Sequence, residues 1–387
     1  MNAAGQQSAR DGPVFFAMSH TDPGGLRELW CDIAGCLRER GNAVKLVALY
    51  PDADEAAEAS ANEGWQYIRP NRPGGALAAL ALFLALVRFL RAQRPAVVVT
   101  ASPAANVVMP LAVFLSGCDA RVVITHHTPS QTYNAMLDRV DAMTGLLACT
   151  IAVVSVSNEV SRSLDRRPAA YRAKRITIPN ALPEPIETLI DGLHRDRRNP
   201  GRRIVAMGRL TKQKNYPMLI RAMAGVPDAL LDIIGDGEDR DALRALASEV
   251  GVADRIRFMG YMPRRETLGM AAKADVFVQV SLFEGHSLAL IEAAKLGLPL
   301  VVSDAPVQIE GVTAGDGSRC GIVVPLGDVA QLSRSLADLL DNRQEYSRWA
   351  TLSEKLGKGV SRAAMIDNYE SLIGLSPQRV PGPVQEK

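Results

Sequence analysis

Residues 274–293 read Ala274-Asp275-Val276-Phe277-Val278-Gln279-Val280-Ser281-Leu282-Phe283-Glu284-Gly285-His286-Ser287-Leu288-Ala289-Leu290-Ile291-Glu292-Ala293. The first seven form a valine-rich apolar run that predicts a strand. From Leu288 the spacing becomes helical, with Ser287 placed to cap the first turn. The reading is strand, glycine-containing turn, helix. In an open α/β sheet such a turn lies at the carboxyl end of a strand, where ligands bind. The first helical turn offers unpaired N–H groups to an anion. Glu284 falls in the turn. Glu292 falls on the helix face of Leu288 and Ile291, where a lone carboxylate is costly. From spacing alone two readings stand: both carboxylates serve a ligand, or Glu292 pairs with Lys295 at the surface and Glu284 is solvated.

The pair resembles the E-x7-E signature of retaining glycosyltransferases of the GT-B fold, family 4. The resemblance implies that Glu284 lies at the donor sugar and Glu292 on the ribose hydroxyls. Gly285, His286, Ser287 and Leu288 would then face the donor. The departure is Gly-His-Ser after Glu284, where the family often has Gly-Phe-Gly, so His286 and Ser287 alter contacts to sugar or phosphate.

Upstream, Ile204–Met207 predicts a strand that opens a second domain, followed by Gly208-Arg209-Leu210-Thr211-Lys212-Gln213-Lys214-Asn215. Two cations in a strand-to-helix turn suit a diphosphate, since Arg offers a planar fork and Lys a point charge. The pattern resembles the family's diphosphate site, which implies that role for Gly208, Arg209 and Lys214. Leu231–Ile234 is a strand ending in Gly235-Asp236-Gly237, half of a dinucleotide fingerprint; the resemblance puts Gly235 and Gly237 beside the nucleotide. After the strand Arg255–Gly260, Tyr261 and Met262 fall where the family holds the nucleobase. Strands at 298–303 and 321–324 complete this sheet. A helical stretch from 328 to about 356 and another over 361–375 follow, the last being the helix that crosses back to the first domain in GT-B proteins.

The first half also alternates strands and helices, which predicts a mostly parallel sheet. Val14–Met18 is a strand, Gly24-Gly25 a turn, and a helix runs from Leu26 to about Arg40. This is not the G-x-G-x-x-G pattern, so no dinucleotide is implied. The resemblance makes Gly24 and Gly25 the loop that approaches donor phosphates and acceptor. Further strands are expected at 43–50, 65–68, 97–100, 121–125, 151–155 and 176–178. The fifth runs into His126-His127; the resemblance favours His127 for a polar role at the sugars, with His126 the alternate. Catalytic candidates are therefore Glu284, His127, Arg209 and Lys214. Asp52-Ala53-Asp54 reads as an acidic solvated loop, so no metal is expected.

The chain has 387 residues, 47% hydrophobic and 22% charged, with a formal net charge of +2. That suits two ordinary domains and argues against a nucleic-acid binder. Five cysteines (Cys31, Cys36, Cys118, Cys149, Cys320) without metal or redox spacing fit a reducing cytosol. Residues 1–12 lack an apolar core, so no signal peptide is expected. Residues 75–94 read as a helix that is almost continuously apolar before Arg88, Arg91 and Arg94. Either it is a buried helix with a solvated end, or it rests on anionic lipid. A second basic group, Arg162, Arg166, Arg167, Arg172, Lys174 and Arg175, adds to the lipid reading.

The expected layout is a disordered start (1–12), an acceptor-side Rossmann-like domain (13–182), a Pro- and Gly-rich linker (183–202), a nucleotide-sugar domain (203–360), the crossover helix (361–375) and a disordered tail (376–387). The fold class is α/β, GT-B: two Rossmann-like domains facing each other across a cleft. The resemblance implies a retaining, metal-independent, cofactor-free glycosyltransferase; the cysteines point to a cytoplasmic location, and the lipid reading of residues 75–94 would make it peripheral at the inner face of the membrane. It would use a UDP- or GDP-type nucleotide diphosphate sugar and a sugar, lipid-linked or small-molecule acceptor. A nucleotide-sugar epimerase, a phosphorylase of the same fold and a non-catalytic sugar-binding module are the alternatives. No pyridoxal lysine can be located for the second, and Glu284, Arg209, Lys214 and Glu292 together argue against the third.

Overall fold

In the computed structural model the apolar runs of the sequence are strands of two separate sheets. The structure describes residues 12–21, 24–51, 63–193 and 201–374. The first sheet contains β1 (Val14–Met18), β2 (Val44–Ala48), β3 (Trp65–Tyr67), β4 (Val97–Ala101), β5 (Arg121–His126), β6 (Thr150–Ser155) and β7 (Arg175–Thr177). The second contains β8 (Arg203–Met207), β9 (Leu230–Ile234), β10 (Ile256–Gly260), β11 (Val276–Gln279), β12 (Leu300–Ser303) and β13 (Ile322–Val324). Their orders are β3-β2-β1-β4-β5-β6-β7 and β10-β9-β8-β11-β12-β13. Every strand pair is parallel. Parallel strands are covered on both faces, which is why they read as unbroken apolar runs.

Alternate residues in the second sheet serve two different cores, as the strand period of two requires. Ile204, Ala206, Leu231, Ile233, Val276 and Val278 face one core. Val205, Met207, Ile234 and Phe277 face the other. Chain order reverses between β8 and β11, with Val276 opposite Ile204 and Phe277 opposite Val205. That reversal opens a crevice at the carboxyl ends of these two strands.

The chain divides into one unit of Met1–Pro179 and Ala363–Lys387, and another of Asn180–Arg362. The helix Arg362–Gly374, expected as the crossover helix, thus completes the first unit. Its Met365, Ile366, Tyr369, Leu372 and Ile373 are buried. Tyr369 meets Trp30 edge-on at 5.9 Å and Phe16 at 6.3 Å. Arg121 donates to the Ile373 carbonyl at 2.6 Å.

Two expectations fail for local reasons. The expected linker 183–202 contains a helix, Glu184–Asp191, with Ile186 and Ile190 buried in the second unit's core. Pro183 precedes it and Pro185 lies in its first turn. Proline there gives up an N–H that has no partner in any helix, so the prolines mark a helix start. Residues 194–200 lie outside the described residues, as do 1–11 and 375–387, on which the expected disordered ends fall. The single stretch 328–356 is two helices, Val329–Asp341 and Arg343–Gly359. Asn342 divides them in an extended conformation, and its side chain accepts from the N–H groups of Gln344 and Glu345.

Candidate functional site

The site of the second unit is built by the turns that follow β8, β9 and β11. Gly208, after β8, has φ 144°, and a Cβ there would lie 2.8 Å from Lys214 Cε. Gly235, after β9, has φ 139°, and its Cβ would lie 2.1 Å from the Gly208 carbonyl oxygen. A Cβ on Gly237 would stand 2.4 Å from the Leu210 oxygen. The two glycine turns therefore cross in direct backbone contact, and no side chain fits between them. This contact by itself accounts for glycine at 208, 235 and 237.

The turn after β8 is joined to the turn after β11. Gln213 donates to the Phe283 carbonyl at 3.0 Å, and its own carbonyl accepts from Leu282 N–H at 2.8 Å. Asn215 donates to the Val280 carbonyl at 3.2 Å. These bonds bring Lys214 to Glu284: Nζ donates to Oε1 at 2.7 Å, with the side chains only 15% and 9% exposed. Arg209 is exposed on the same turn, and among the described residues no carboxylate pairs with it. Beneath them Tyr216 donates to the Gly208 carbonyl at 3.0 Å. Burial, and then the charge of Glu284, hold its phenol well above its usual range.

Ser287 caps the helix Leu288–Lys295, accepting from Leu290 N–H at 3.4 Å. Its hydroxyl also donates to Gln279 Oε1 at 2.8 Å. Gln279 donates to Gln308 Oε1 at 2.9 Å, and Gln308 returns a bond to the Gln279 carbonyl at 2.6 Å. Gln279 and Gln308 are buried, and neither is singled out by the sequence reading. Gly285 is buried, while His286 and Leu288 are half-buried. Burial pushes His286 down to about 4, so its ring is neutral at pH 7.

Glu292 is 1% exposed, and its Oε1 lies 2.7 Å from Arg264 Nη2. Lys295 pairs instead with Glu187 at 2.7 Å. The surface Glu292–Lys295 pair is thereby excluded in favour of a carboxylate held inside. Arg264 opens the helix Arg264–Ala271 after Pro263, close behind Tyr261, which is 73% exposed, and the half-buried Met262. Arg264 was missed by the sequence reading. The cost of burying Glu292 announces a cation without saying which one.

In the first unit Gly24 caps the helix Gly25–Glu39 in an extended conformation, with open space where a Cβ would be. His126 and His127 separate clearly. His126 is fully buried, bonded to Tyr133 OH at 3.0 Å and Tyr171 OH at 2.8 Å. Tyr171 donates to Asp141 Oδ2 at 3.0 Å, and Arg167 pairs with Asp141 at 2.9 Å and Asp138 at 2.7 Å. His127 is half-buried at the strand end, 2.9 Å from Thr125 Oγ1 and edge-on to Trp30 at 5.6 Å. Burial lowers both rings to about 3, so both are neutral near pH 7. The Asp-x-Asp at 52–54 lies outside the described residues.

Two family models divide the chain between them. "Glycosyltransferase Family 4" matches residues 23–183 and "Glycosyl transferases group 1" matches residues 195–355. The chain belongs to the family 4 glycosyltransferases. The chain is 32% identical over 177 residues to the lipopolysaccharide core biosynthesis glycosyltransferase LpsE of Rhizobium meliloti, covering 45% of this chain and 50% of that one. It is 33% identical over 191 residues to a GDP-mannose-dependent alpha-(1-6)-phosphatidylinositol monomannoside mannosyltransferase of Mycolicibacterium smegmatis, covering 42% and 49%. The chain spans about half the length of these curated relatives. Its fold is similar to that of Anabaena Alr3699/HepE, solved in complex with UDP and glucose, with a TM-score of 0.77 at 18% identity over 94% of this chain and 100% of that one. The GT-B fold of the chain is thus two Rossmann-like units.

Proposed function

We propose that the protein is a retaining, metal-independent glycosyltransferase. It takes a sugar from a UDP- or GDP-type nucleotide diphosphate sugar to a hydroxyl on a sugar, lipid-linked or small-molecule acceptor. The observation that carries this reading is the Lys214–Glu284 pair at 2.7 Å beside the exposed Arg209, where the order of β8 and β11 reverses. A leaving diphosphate needs positive charge that is already in place. Lys214, Arg209 and the helix N-terminus capped by Ser287 supply it from the protein itself. Glu284 orients the sugar. Glu292, buried and held by Arg264, accepts from the ribose hydroxyls.

The acceptor oxygen bonds to the anomeric carbon as the bond to the diphosphate breaks, and the acceptor proton leaves with the diphosphate. The GDP-mannose dependence of one relative and the UDP held by a structural neighbour support the donor class. The lipopolysaccharide relative supports a bacterial envelope polysaccharide or glycolipid acceptor. A thermal-shift screen with UDP, GDP, ADP and their sugars tests the donor. A ligand at about 100 times its Kd adds ~2.7 kcal/mol, and no shift with any of them refutes the site. The anomeric configuration of the product tests retention, which inversion refutes.

A further inference from the structure

Helices Ala76–Gln93, Pro103–Ser116 and Ala135–Thr144 lie side by side in one layer, the first two over the core of β1, β2, β4 and β5. Eight of the eleven exposed large hydrophobic residues among the described residues fall on this layer or the turn that ends it. Leu77 is 85% exposed and Leu80 55%, with Leu84, Phe114, Leu115 and Met136 beyond them. Residues 76–80 are five consecutive apolar positions, all exposed. Single exposed leucines are ordinary on a soluble protein, but a gathered patch marks a contact surface.

The charge of the first two helices and of the segment before them has one sign, whereas the third helix carries Asp138 and Asp141. From residue 64 to residue 118 there is no Asp or Glu, while Arg69, Arg72, Arg88, Arg91 and Arg94 are all present. All five are exposed, and among the described residues none pairs with a carboxylate. Arg91 instead donates to the Ser116 carbonyl at 3.0 Å, beside Leu115. The second basic group differs. Arg167 is held by Asp138 and Asp141, Arg175 by Asp165, Arg162 by Glu159, and Lys174 by the Gly145 carbonyl. Four of its six cations are engaged within the fold.

The helix Ala76–Gln93 is long and apolar enough to cross a membrane, with a mean hydropathy of 1.7. Its Leu82, Leu86 and Leu90 are buried in the core under the layer, however. The folded helix therefore presents one apolar side outward instead of spanning.

We propose that this three-helix face docks the protein on the surface of an anionic lipid bilayer. The leucines and Phe114 enter the acyl boundary while the arginines meet lipid phosphates. A second copy of the chain fits the face poorly, because a two-fold contact would set five arginines against five. The surface requires nothing of the reaction proposed above.

Sedimentation of the full chain with vesicles tests it. Binding is expected to phosphatidylcholine vesicles that contain phosphatidylglycerol, and not to phosphatidylcholine alone. It should weaken as salt rises, since screening shortens the reach of the arginines. The triple variant Leu77→Ser/Leu80→Ser/Leu84→Ser should bind more than about tenfold more weakly, and Arg88→Gln/Arg94→Gln about fivefold more weakly per arginine. Both variants should melt like the parent, because all five side chains are exposed. Three outcomes overturn the proposal: no sedimentation of the parent with anionic vesicles, equal binding by the leucine variant, or a parent dimer in solution that the leucine variant makes monomeric.

Discussion

The two units each bury a set of charged and polar side chains near strand ends, and the two sets are built to different ends. In the first unit His126, Tyr133, Tyr171, Asp141, Arg167 and Asp138 bond in a chain, each link meeting another side chain of the set. Burial raises Asp141 to about 6, with Arg167 pulling the other way. In the second unit the charges stand at the reversal of strand order: Glu284 on Lys214, Arg209 exposed beside them, Glu292 on Arg264. A polar network whose side chains bond to one another ties core elements together. Carboxylates and cations gathered where two strand ends diverge offer charge to something that arrives.

That contrast can be broken by substitution. The largest effect is expected from Lys214→Ala. It removes a cation from the proposed leaving group and leaves Glu284 without its partner. Turnover should fall by about 10²–10³-fold, the usual loss for one preorganised charge-stabilising group. A double cycle with Glu284→Gln sharpens the point: losses that simply multiply would mean that the two side chains do not act as a pair.

Next is Glu292→Gln, which should weaken donor binding by ~1.5–3 kcal/mol, the worth of a charged hydrogen bond. Calorimetry with the nucleotide diphosphate reads it, and unchanged affinity would place the ribose elsewhere.

Tyr171→Phe tests the other side of the comparison. It strips a bond from both His126 and Asp141, so stability should drop by ~1–3 kcal/mol in chemical denaturation. If kcat falls more than the folded fraction does, the network is part of the chemistry after all.

The smallest effect is a slope. His126 and His127 titrate at about 3 in the folded protein, against an ordinary ~6.5. Below ~6.5 the unfolded chain takes up protons that the folded one refuses. Stability is therefore complete above that pH and is lost as pH falls towards 3. Asp141, raised to about 6, works in the opposite direction between its two values. Each histidine contributes up to ~1.4 kcal/mol per pH unit. His126→Asn should flatten the dependence of melting temperature on pH between about 4 and 6 by one histidine's share, and an unaltered slope would reject the assignment.

Much of this was legible in the residues. Strands buried on both faces announce themselves as apolar runs, and most expected strands meet the observed ones within two residues. Glu284, Lys214 and Arg209 were readable because each sits in a strand-to-helix turn. Their pairing was not, because Lys214 and Glu284 are 70 positions apart and meet only once β8 lies beside β11. Arg264, Gln279 and Gln308 stayed hidden for the same reason, since an arginine after a proline and two glutamines have no pattern of their own. The helix Glu184–Asp191 was hidden by composition: prolines at its start are the same letters that mark a linker.

The helix Arg362–Gly374 has a consequence for how the protein is made. On the ribosome, residues 14–179 emerge first, but the side chains of Trp30 and Phe16 await Tyr369. The stretch from Asn180 to Arg362 is contiguous and can close its own sheet beforehand. A nascent chain arrested after Arg362 should resist protease over its second unit and be cut in its first. Vectorial synthesis ordinarily finishes domains from the N-terminus onward; here the part translated first is completed last.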